Sequence, residues 1–296
     1  MKIAFLMLAH KSPQQINKLL ECLQDSDIDV YIHLDKKSNI KKDIQVYPNI
    51  IYVDDADRVD IKWGSVSMVN ATIQLIKTMV NSKKVYDYVY LISGQDFIIK
   101  DIQELKSFLD NNKGQNFIEI LDETNSNYYK YRKRVEVYYP QWMISRNKLI
   151  ILLKFAYIII TGGMTKVFFK RKQNYNLPFA FGSQWWTLQY NAVLEMYTII
   201  SKHPEYVNYY KNSLVPDESF FQTIFMMTSF NNKSSHHSLT YTNWEGQVNH
   251  PKTLTKEDII ILENEKNKYL GRKFDENVDN SIIDYFYKKL RIKRGD

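Results

Sequence analysis

Apolar residues occur in short runs that alternate with stretches of helical periodicity. The runs have the length of strands, and their continuity suits strands that are buried on both faces. Helical spacing predicts one helix that begins at Ser12 and Pro13, with Ser12 as the N-cap, and another over about 65–80. This alternation predicts an open, largely parallel α/β sheet. The predicted strands are Ile3–Ala9, 29–35, 50–53 and 86–93.

Polar side chains stand at the ends of three of these strands. His10 follows the first strand, Asp35 ends the second, and Asp96 follows the fourth. Ligands of open α/β sheets bind beyond the carboxyl ends of the strands. We therefore expect these three residues to lie in or near a binding site.

One segment, 145–175, has a different character. Its centre, 149–160, is apolar except for Lys154, and four basic residues follow within 166–172. About 12 residues are too few to span a bilayer. Two interpretations stay open: a basic, apolar helix at a membrane interface, or a core helix with a solvated basic end. Because no repeat or linker occurs elsewhere, we predict a single domain, 1–296, with an insertion at 145–175 that serves the membrane interface or the acceptor side.

The composition excludes several classes of protein. Of 296 residues, 44% are apolar and 25% charged, which excludes a disordered chain. The single Cys22 excludes an internal disulfide and a cysteine zinc site. The N-terminal apolar stretch is short and polar residues follow it, so it indicates a first strand and not a signal peptide. We expect either a cytoplasmic protein or one bound peripherally to the inner face of the cytoplasmic membrane.

The charge and the aromatic content each allow more than one interpretation. A formal charge of +7 with interleaved acidic residues indicates nucleic-acid binding only weakly, so no nucleic-acid partner is expected. The positive net charge would equally suit binding to polyphosphate or to an anionic membrane. An aromatic content of 14% fits either AT-rich codon usage or a sugar-binding surface, where rings stack on pyranoses.

Neither a Walker sequence nor a Gly-rich dinucleotide fingerprint is present, which argues against kinases and dehydrogenases. Acidic pairs occur at 25–29 and at 55–57, but neither lies at the end of the fourth strand, where only Asp96 stands. A single carboxylate is a poor site for a hard divalent cation. The sequence therefore predicts no metal site.

Two later segments carry candidate chemistry. Gly182-Ser183-Gln184-Trp185-Trp186 places small and aromatic residues before an apparent strand, and Pro216-Asp217-Glu218 precedes a helical pattern. Proline and acidic residues in a first helical turn are also ordinary capping. On local physics alone, Glu218 is either a helix-capping residue or a functional carboxylate.

Six blocks in this order resemble the core-2/I-branching β-1,6-N-acetylglucosaminyltransferase family (glycosyltransferase family 14), which includes the peptide O-xylosyltransferases, and suggest a bacterial member. The resemblance covers nearly the whole chain. Its blocks are 3–10, 31–38, 91–100, Gly182-Ser183-Gln184-Trp185-Trp186, Pro216-Asp217-Glu218 and Arg272-Lys273-Phe274-Asp275.

The resemblance implies a GT-A-like, Rossmann-type fold with a mostly parallel central sheet flanked by helices, and an inverting, metal-independent mechanism without a cofactor. By its implication Glu218 is the catalytic base. Donor-binding positions are His10, Asp35, Asp96, Lys252 and Lys273, with the two lysines at the diphosphate. Acceptor-binding positions are Arg132, Arg134, Trp185 and Trp244.

The expected reaction transfers a sugar from a UDP-sugar to a glycan or lipid-linked glycan and forms a β linkage. The expected sugar is N-acetylglucosamine, and the expected pathway is capsule or exopolysaccharide synthesis. UDP-xylose or another UDP-hexose is the alternative donor. A non-catalytic scaffold at a membrane surface is the alternative from another class. Retention of both Glu218 and Lys273 argues against the scaffold, since a protein without activity would be free to lose either.

Overall fold

The computed structural model describes residues 1–144, 148–172, 176–245 and 250–294. It contains a larger sheet that forms the centre of the fold and a smaller sheet beside it. The strands are β1 (Ile3–Ala9), β2 (Ile28–Leu34), β3 (Ile50–Tyr52), β4 (Tyr88–Ser93), β5 (Asp96–Ile98), β6 (Thr187–Gln189), β7 (Thr240–Thr242) and β8 (Leu270–Arg272).

The larger sheet has the strand order β3-β2-β1-β4-β6. Its first four strands are parallel, and β6 joins the edge antiparallel to β4. The predicted α/β class with a mostly parallel central sheet is confirmed. In the smaller sheet, β5-β8-β7, β5 and β8 are antiparallel and bring Asp96 opposite Arg272.

Helices cover both faces of the larger sheet. They are α1 (Pro13–Cys22), α2 (Ser67–Asn81), α3 (Ile102–Asn111), α4 (Tyr128–Glu136), α5 (Lys148–Ile160), α6 (Met164–Val167), α7 (Tyr190–Lys202), α8 (Pro204–Tyr210), α9 (Phe220–Met226), α10 (Ile259–Asn264) and α11 (Asn280–Arg294).

Strand β1 is fully buried between these helices. Alternate residues of β1, such as Leu6, pack into a core with α2, α7 and α9, and residues between them, such as Phe5, pack with α1, α3 and α11. This two-sided burial explains the unbroken apolar runs.

The start of α1 lies where the sequence predicts it, but another residue caps it. Ser12 adopts a left-handed conformation (φ 61°), makes no capping hydrogen bond, and leaves its buried hydroxyl without a partner. The backbone N–H of Gln15 instead donates to Oε2 of Glu276, at 2.7 Å. A carboxylate from the C-terminal part of the chain therefore satisfies the first turn of α1.

The predicted insertion forms α5 and α6. The apolar side chains of α5 are largely exposed, whereas Val167 of α6 is buried. The alternative of a buried core helix is therefore wrong, while the membrane-interface alternative stays a prediction. Within the described residues, no helix is long and apolar enough to cross a bilayer. Residues 145–147 and 173–175 of the predicted segment lie outside the described residues.

The different capping of α1 can be tested with a pair of alanine variants. Glu276→Ala should lower the free energy of unfolding by about 1 kcal/mol, because it removes a charged partner of a helix N-terminus. Ser12→Ala should change it by less than about 0.5 kcal/mol, because the hydroxyl makes no bond to lose. Urea denaturation of both variants measures the difference. The reverse order of effects would restore Ser12 as the cap.

Candidate active site

Arg272 lies at the junction of the two sheets. Its Nη1 donates to Oδ1 of Asp96 and to the hydroxyl of Ser93, both at 2.6 Å, and its guanidinium lies 4.1 Å from the ring centre of Trp185. Asp96 has no exposed area and also accepts from the backbone N–H of Ser93, at 2.7 Å. Burial raises the pKa of Asp96, and Arg272 opposes that rise. The arrangement holds the Arg272 guanidinium in one orientation.

The predicted donor residues at the ends of β1 and β2 are neighbours. The backbone N–H of Asp35 donates to the carbonyl of Ala9, which places Asp35 beside His10. Partial burial lowers the pKa of His10, and the nearby Lys11 adds to that effect. The cations of Lys273 and Arg272 act in the same direction, and Asp35 opposes them. The structure therefore makes His10 and Asp35 neighbours. Arg272 and Lys273 lie beside the end of β4, the strand next to β1, because the N–H of Phe274 donates to the carbonyl of Gln95 at 2.8 Å.

The Pro216-Asp217-Glu218 block forms a single 3₁₀ turn before α9. Val215 enters it in a left-handed conformation (φ 51°) and its N–H donates to the carbonyl of Gly64, at 3.0 Å. The carbonyl of Glu218 accepts from the N–H of Gly182, at 3.0 Å. A Cβ atom at Gly182 would lie 2.0 Å from the carbonyl oxygen of Glu119, so only glycine allows this close approach. The turn is therefore held from two sides.

The side chain of Glu218 is 31% exposed and accepts a hydrogen bond from Nη1 of Arg134, at 2.7 Å. Burial raises the pKa of Glu218, and Arg134 opposes part of that rise. Arg134 in turn lies 4.5 Å from the ring centre of Tyr131. A carboxylate with a raised pKa, a fixed orientation and access to solvent can accept a proton from a bound hydroxyl.

Asp217 is more deeply buried than Glu218. It is 9% exposed, and its Oδ1 makes no hydrogen bond. Burial, with a contribution from Glu218, raises the pKa of Asp217 to about 7. The cations of Arg134 and Arg272 both act against that rise. Gly182 bonds to Glu218, and Trp185, three residues further on, lies against Arg272. The segment 182–185 therefore connects the candidate acceptor side to the candidate donor side.

Other predicted site residues have partners outside this cluster. Nζ of Lys252 binds Oδ1 of Asp258 at 3.1 Å, although Leu254, two residues on, donates to the carbonyl of Lys273. Nε of Arg132 binds Glu136 at 2.7 Å, so of the two predicted acceptor-side arginines only Arg134 contacts Glu218.

The two predicted acceptor-side tryptophans lie in different environments. Trp185 is 7% exposed beneath Arg272, where it supports that guanidinium and offers little surface to a sugar, and Trp244 is 50% exposed. Sequence reasoning missed Arg272, although it stands beside Lys273 in a block that the resemblance includes.

The acidic pairs that resemble metal-binding sequences are engaged in ion pairs. Asp25 and Asp27 both bind Lys106, at 2.5 and 3.2 Å. Asp55 binds Arg58 at 3.3 Å, and Asp57 binds a lysine of α2. In the part of the chain that the structure describes, no group of three or more histidine, cysteine or carboxylate side chains could hold a metal ion.

Residues 3–267 match the family described as Branch: Core-2/I-Branching enzyme. The chain belongs to the core-2/I-branching family. Family membership agrees with the glycosyltransferase assignment and with the GT-A-like fold that the sequence resemblance implies. The match covers β1 to the segment before β8, and so includes the Pro216-Asp217-Glu218 turn.

Curated relatives of this core-2/I-branching chain are named xylosyltransferases. The Xylosyltransferase of Ciona intestinalis is 22% identical over 313 residues, covering 98% of this chain and 34% of the relative. Xylosyltransferase oxt of Drosophila pseudoobscura pseudoobscura is 24% identical over 312 residues, covering 95% of this chain and 32% of the relative. The chain thus spans about a third of the length of these relatives. Mouse Xyloside xylosyltransferase 1, in its apo form, is 13% identical with a TM-score of 0.40, covering 92% of this chain and 97% of that one.

The state of Asp217 can be tested through the pH dependence of stability. A pKa of about 7 in the folded protein exceeds the ordinary value of 3.8, so the stability from Asp217 is complete below about pH 4 and is lost as the pH rises through 7. Asp217→Asn removes this loss. It should therefore raise the free energy of unfolding at pH 8 by up to about 4 kcal/mol relative to wild type, and much less at pH 5.

Urea denaturation at both pH values measures this difference. Asp110→Asn, at an exposed position of α3, is the matched control. A stability difference that does not change between pH 5 and pH 8 would contradict the raised pKa.

Proposed function

We propose that the chain is an inverting glycosyltransferase in which Glu218 is the catalytic base. The observation that carries the proposal is the contact of 2.7 Å between Arg134 and the partly exposed carboxylate of Glu218. Arg134 limits the rise in the pKa of Glu218 and fixes its orientation. An ordinary helix cap would bond to backbone N–H groups, and Glu218 makes no capping bond at α9.

In the proposed step, Glu218 accepts the proton of an acceptor hydroxyl while that oxygen attacks the anomeric carbon of the donor sugar. The bond between the anomeric carbon and the diphosphate breaks on the opposite face, and UDP leaves with the electron pair. The configuration is inverted, which gives a β linkage from an α-linked UDP-sugar. General base catalysis of this kind contributes about 10²–10⁴-fold to the rate.

The leaving diphosphate gains negative charge, which fixed cations can stabilise. We assign this task to Lys273 together with Arg272. Arg272 bonds to Ser93 at the end of β4, and the N–H of Phe274 donates to the carbonyl of Gln95, so both cationic residues lie beside the carboxyl end of that strand. Asp96 and Ser93 position Arg272 for it. We propose that the reaction needs no divalent cation. Lys252 remains a predicted contributor, one that would have to exchange Asp258 for the diphosphate.

For the donor we propose UDP-N-acetylglucosamine, as the family resemblance implies. UDP-xylose is the second candidate, favoured by the names of the relatives, which are xylosyltransferases. The proposed acceptor is a glycan or a lipid-linked glycan, and the proposed setting is capsule or exopolysaccharide synthesis in the cytoplasm. Both donors belong in every turnover assay described below.

Removal of the base tests the assignment of Glu218. Glu218→Gln keeps the shape of the side chain but cannot take up the proton, so turnover should fall about 10²–10⁴-fold while UDP binding is retained. Turnover and calorimetric UDP binding are the two measurements. Glu205→Gln, at an exposed glutamate in α8, is the matched control and should retain full turnover. Near wild-type turnover of Glu218→Gln would remove Glu218 from the mechanism.

A second test asks whether fixed cationic side chains or a metal ion stabilise the leaving diphosphate. Lys273→Ala should lower turnover about ten- to a hundredfold, because the diphosphate loses one charge-assisted contact of about 1.5–3 kcal/mol. The control, Lys266→Ala, changes an exposed lysine in the loop that precedes β8. Turnover of the wild-type protein should survive EDTA. If EDTA abolishes turnover and manganese restores it, the metal-independent mechanism is wrong.

A further inference from the structure

The helix α5 presents an apolar surface that the described part of the chain does not cover. Its side chains are far more exposed than is usual for leucine, isoleucine and phenylalanine: Leu152 is 66% exposed, Phe155 60% and Ile159 77%. A contiguous exposed apolar patch marks an interaction site. We call this patch the α5 surface and define it by Leu149, Leu152, Leu153, Phe155, Ile159 and Ile160.

The sequence around the α5 surface is strongly basic. Residues 137–194 include seven lysine and arginine residues and no aspartate or glutamate. Seven is also the net charge of the whole chain, which has 40 basic and 33 acidic residues. The positive excess of the protein therefore equals the charge of this one segment.

Three of these cations are placed to meet a charged surface. Lys170 and Lys172 are exposed just beyond α6, and Lys154 lies on α5 itself, 5.7 Å from the ring centre of Phe168. Lys170 also contacts Glu136, at 3.3 Å, but its side chain is 75% exposed. Arg171 differs, because its guanidinium donates to the backbone carbonyls of Val135 and Tyr209.

Arg171 fastens the segment to the acceptor side of the candidate site. Besides those two carbonyls, it reaches the hydroxyl of Ser213 at 2.8 Å. Beside it, the N–H of Tyr138 donates to the carbonyl of Phe169, and the two rings stack with centres 4.9 Å apart. Val135 follows Arg134 directly in α4. The base of the α5 surface is therefore joined to the element that holds Glu218.

We propose that the α5 surface binds an anionic lipid bilayer, with α5 lying in the interfacial region. An exposed apolar helix with lysines beside it and no acidic residue is suited to anionic headgroups. The 13 residues of α5 extend about 20 Å, which is too short to cross the hydrocarbon core of about 30 Å. A second copy of the chain fits less well, because paired α5 surfaces would bring their lysines together with no carboxylate in 137–194 to neutralise them.

The proposal of membrane binding rests only on the exposure and charge of the α5 surface and its surroundings, and it does not depend on the proposed function. Its consequence, a lipid-linked glycan acceptor whose reacting sugar lies near the membrane surface, rests on the proposed function. Arg134 and Glu218 would then face an acceptor that diffuses in the plane of the bilayer, which deepens the proposal of a glycan acceptor to a membrane-borne one.

Co-sedimentation of the full chain with vesicles tests the binding. The probes are vesicles of phosphatidylcholine alone and of phosphatidylcholine with phosphatidylglycerol. We expect binding to the anionic vesicles, weaker binding to the neutral ones, and loss of the difference at high salt. No sedimentation with the anionic vesicles would overturn the proposal.

Two sets of variants locate the binding surface. The triple variant Leu152→Gln, Phe155→Gln and Ile159→Gln should weaken binding by about a hundredfold or more. Its matched control is Ile260→Gln with Ile292→Gln, at exposed isoleucines of α10 and α11. Replacing Lys154, Lys170 and Lys172 by glutamine should weaken binding to anionic vesicles by about ten- to a hundredfold. The control replaces the exposed Lys83, Lys113 and Lys256 by glutamine.

Equal weakening by the control variants, or none by the α5 variants, would overturn the proposal. So would a stable dimer in analytical ultracentrifugation that the triple variant dissociates. Turnover of the UDP-sugar, measured without vesicles, distinguishes a failure of the membrane proposal from a failure of the proposed function. The α5 variants should retain this turnover, whereas Glu218→Gln should lose the turnover and still bind vesicles.

Discussion

The ion pair between Asp96 and Arg272 is the interaction on which the arrangement of the site depends. A carboxylate without exposed area costs several kcal/mol unless a cation and hydrogen-bond donors compensate for its burial. Here Arg272 and two groups of Ser93 compensate for it. Asp96 and Arg272 lie on neighbouring strands of the smaller sheet, 176 residues apart in the chain. Ser93 ends β4 of the larger sheet, so its bonds to both residues join the two sheets.

The parallel sheet supplies the second constraint. Strands β1 and β2 are buried on both faces and in register, so their carboxyl ends meet at one edge. His10 and Asp35 are neighbours for this reason. The same edge receives Arg272 and Lys273 from the end of β8, because Arg272 bonds to Ser93 and the N–H of Phe274 donates to the carbonyl of Gln95. Two cationic residues therefore lie at this edge. Such an edge suits an anionic leaving group.

The acceptor side depends on a different set of contacts. Arg134 reaches Glu218 over 84 residues, and the turn that holds Glu218 is fastened by the N–H of Gly182 and by the entry of Val215. Arg171 fastens the base of the α5 segment to the same region. Glu218, Arg134 and the exposed α5 surface therefore form one continuous structural unit, which connects the candidate site to the surface that we propose as its membrane contact.

The sequence by itself determined the elements and the family. Apolar runs and helical spacing located β1, β2, β3, β4, α1 and α2, because the length of an apolar run and the spacing of apolar residues depend on which side chains of an element are buried. The six blocks identified the family and singled out Glu218 and Lys273.

Only the tertiary structure decided which predicted residues meet. It showed that Asp96 is buried against Arg272, that Trp185 lies beneath the same guanidinium, and that Lys252 binds Asp258. It also showed that Glu276 caps α1 in place of Ser12, and that α5 is exposed. Each of these outcomes, apart from the Lys252 pair, depends on packing between segments that are distant in the chain, and local periodicity carries no information about such packing.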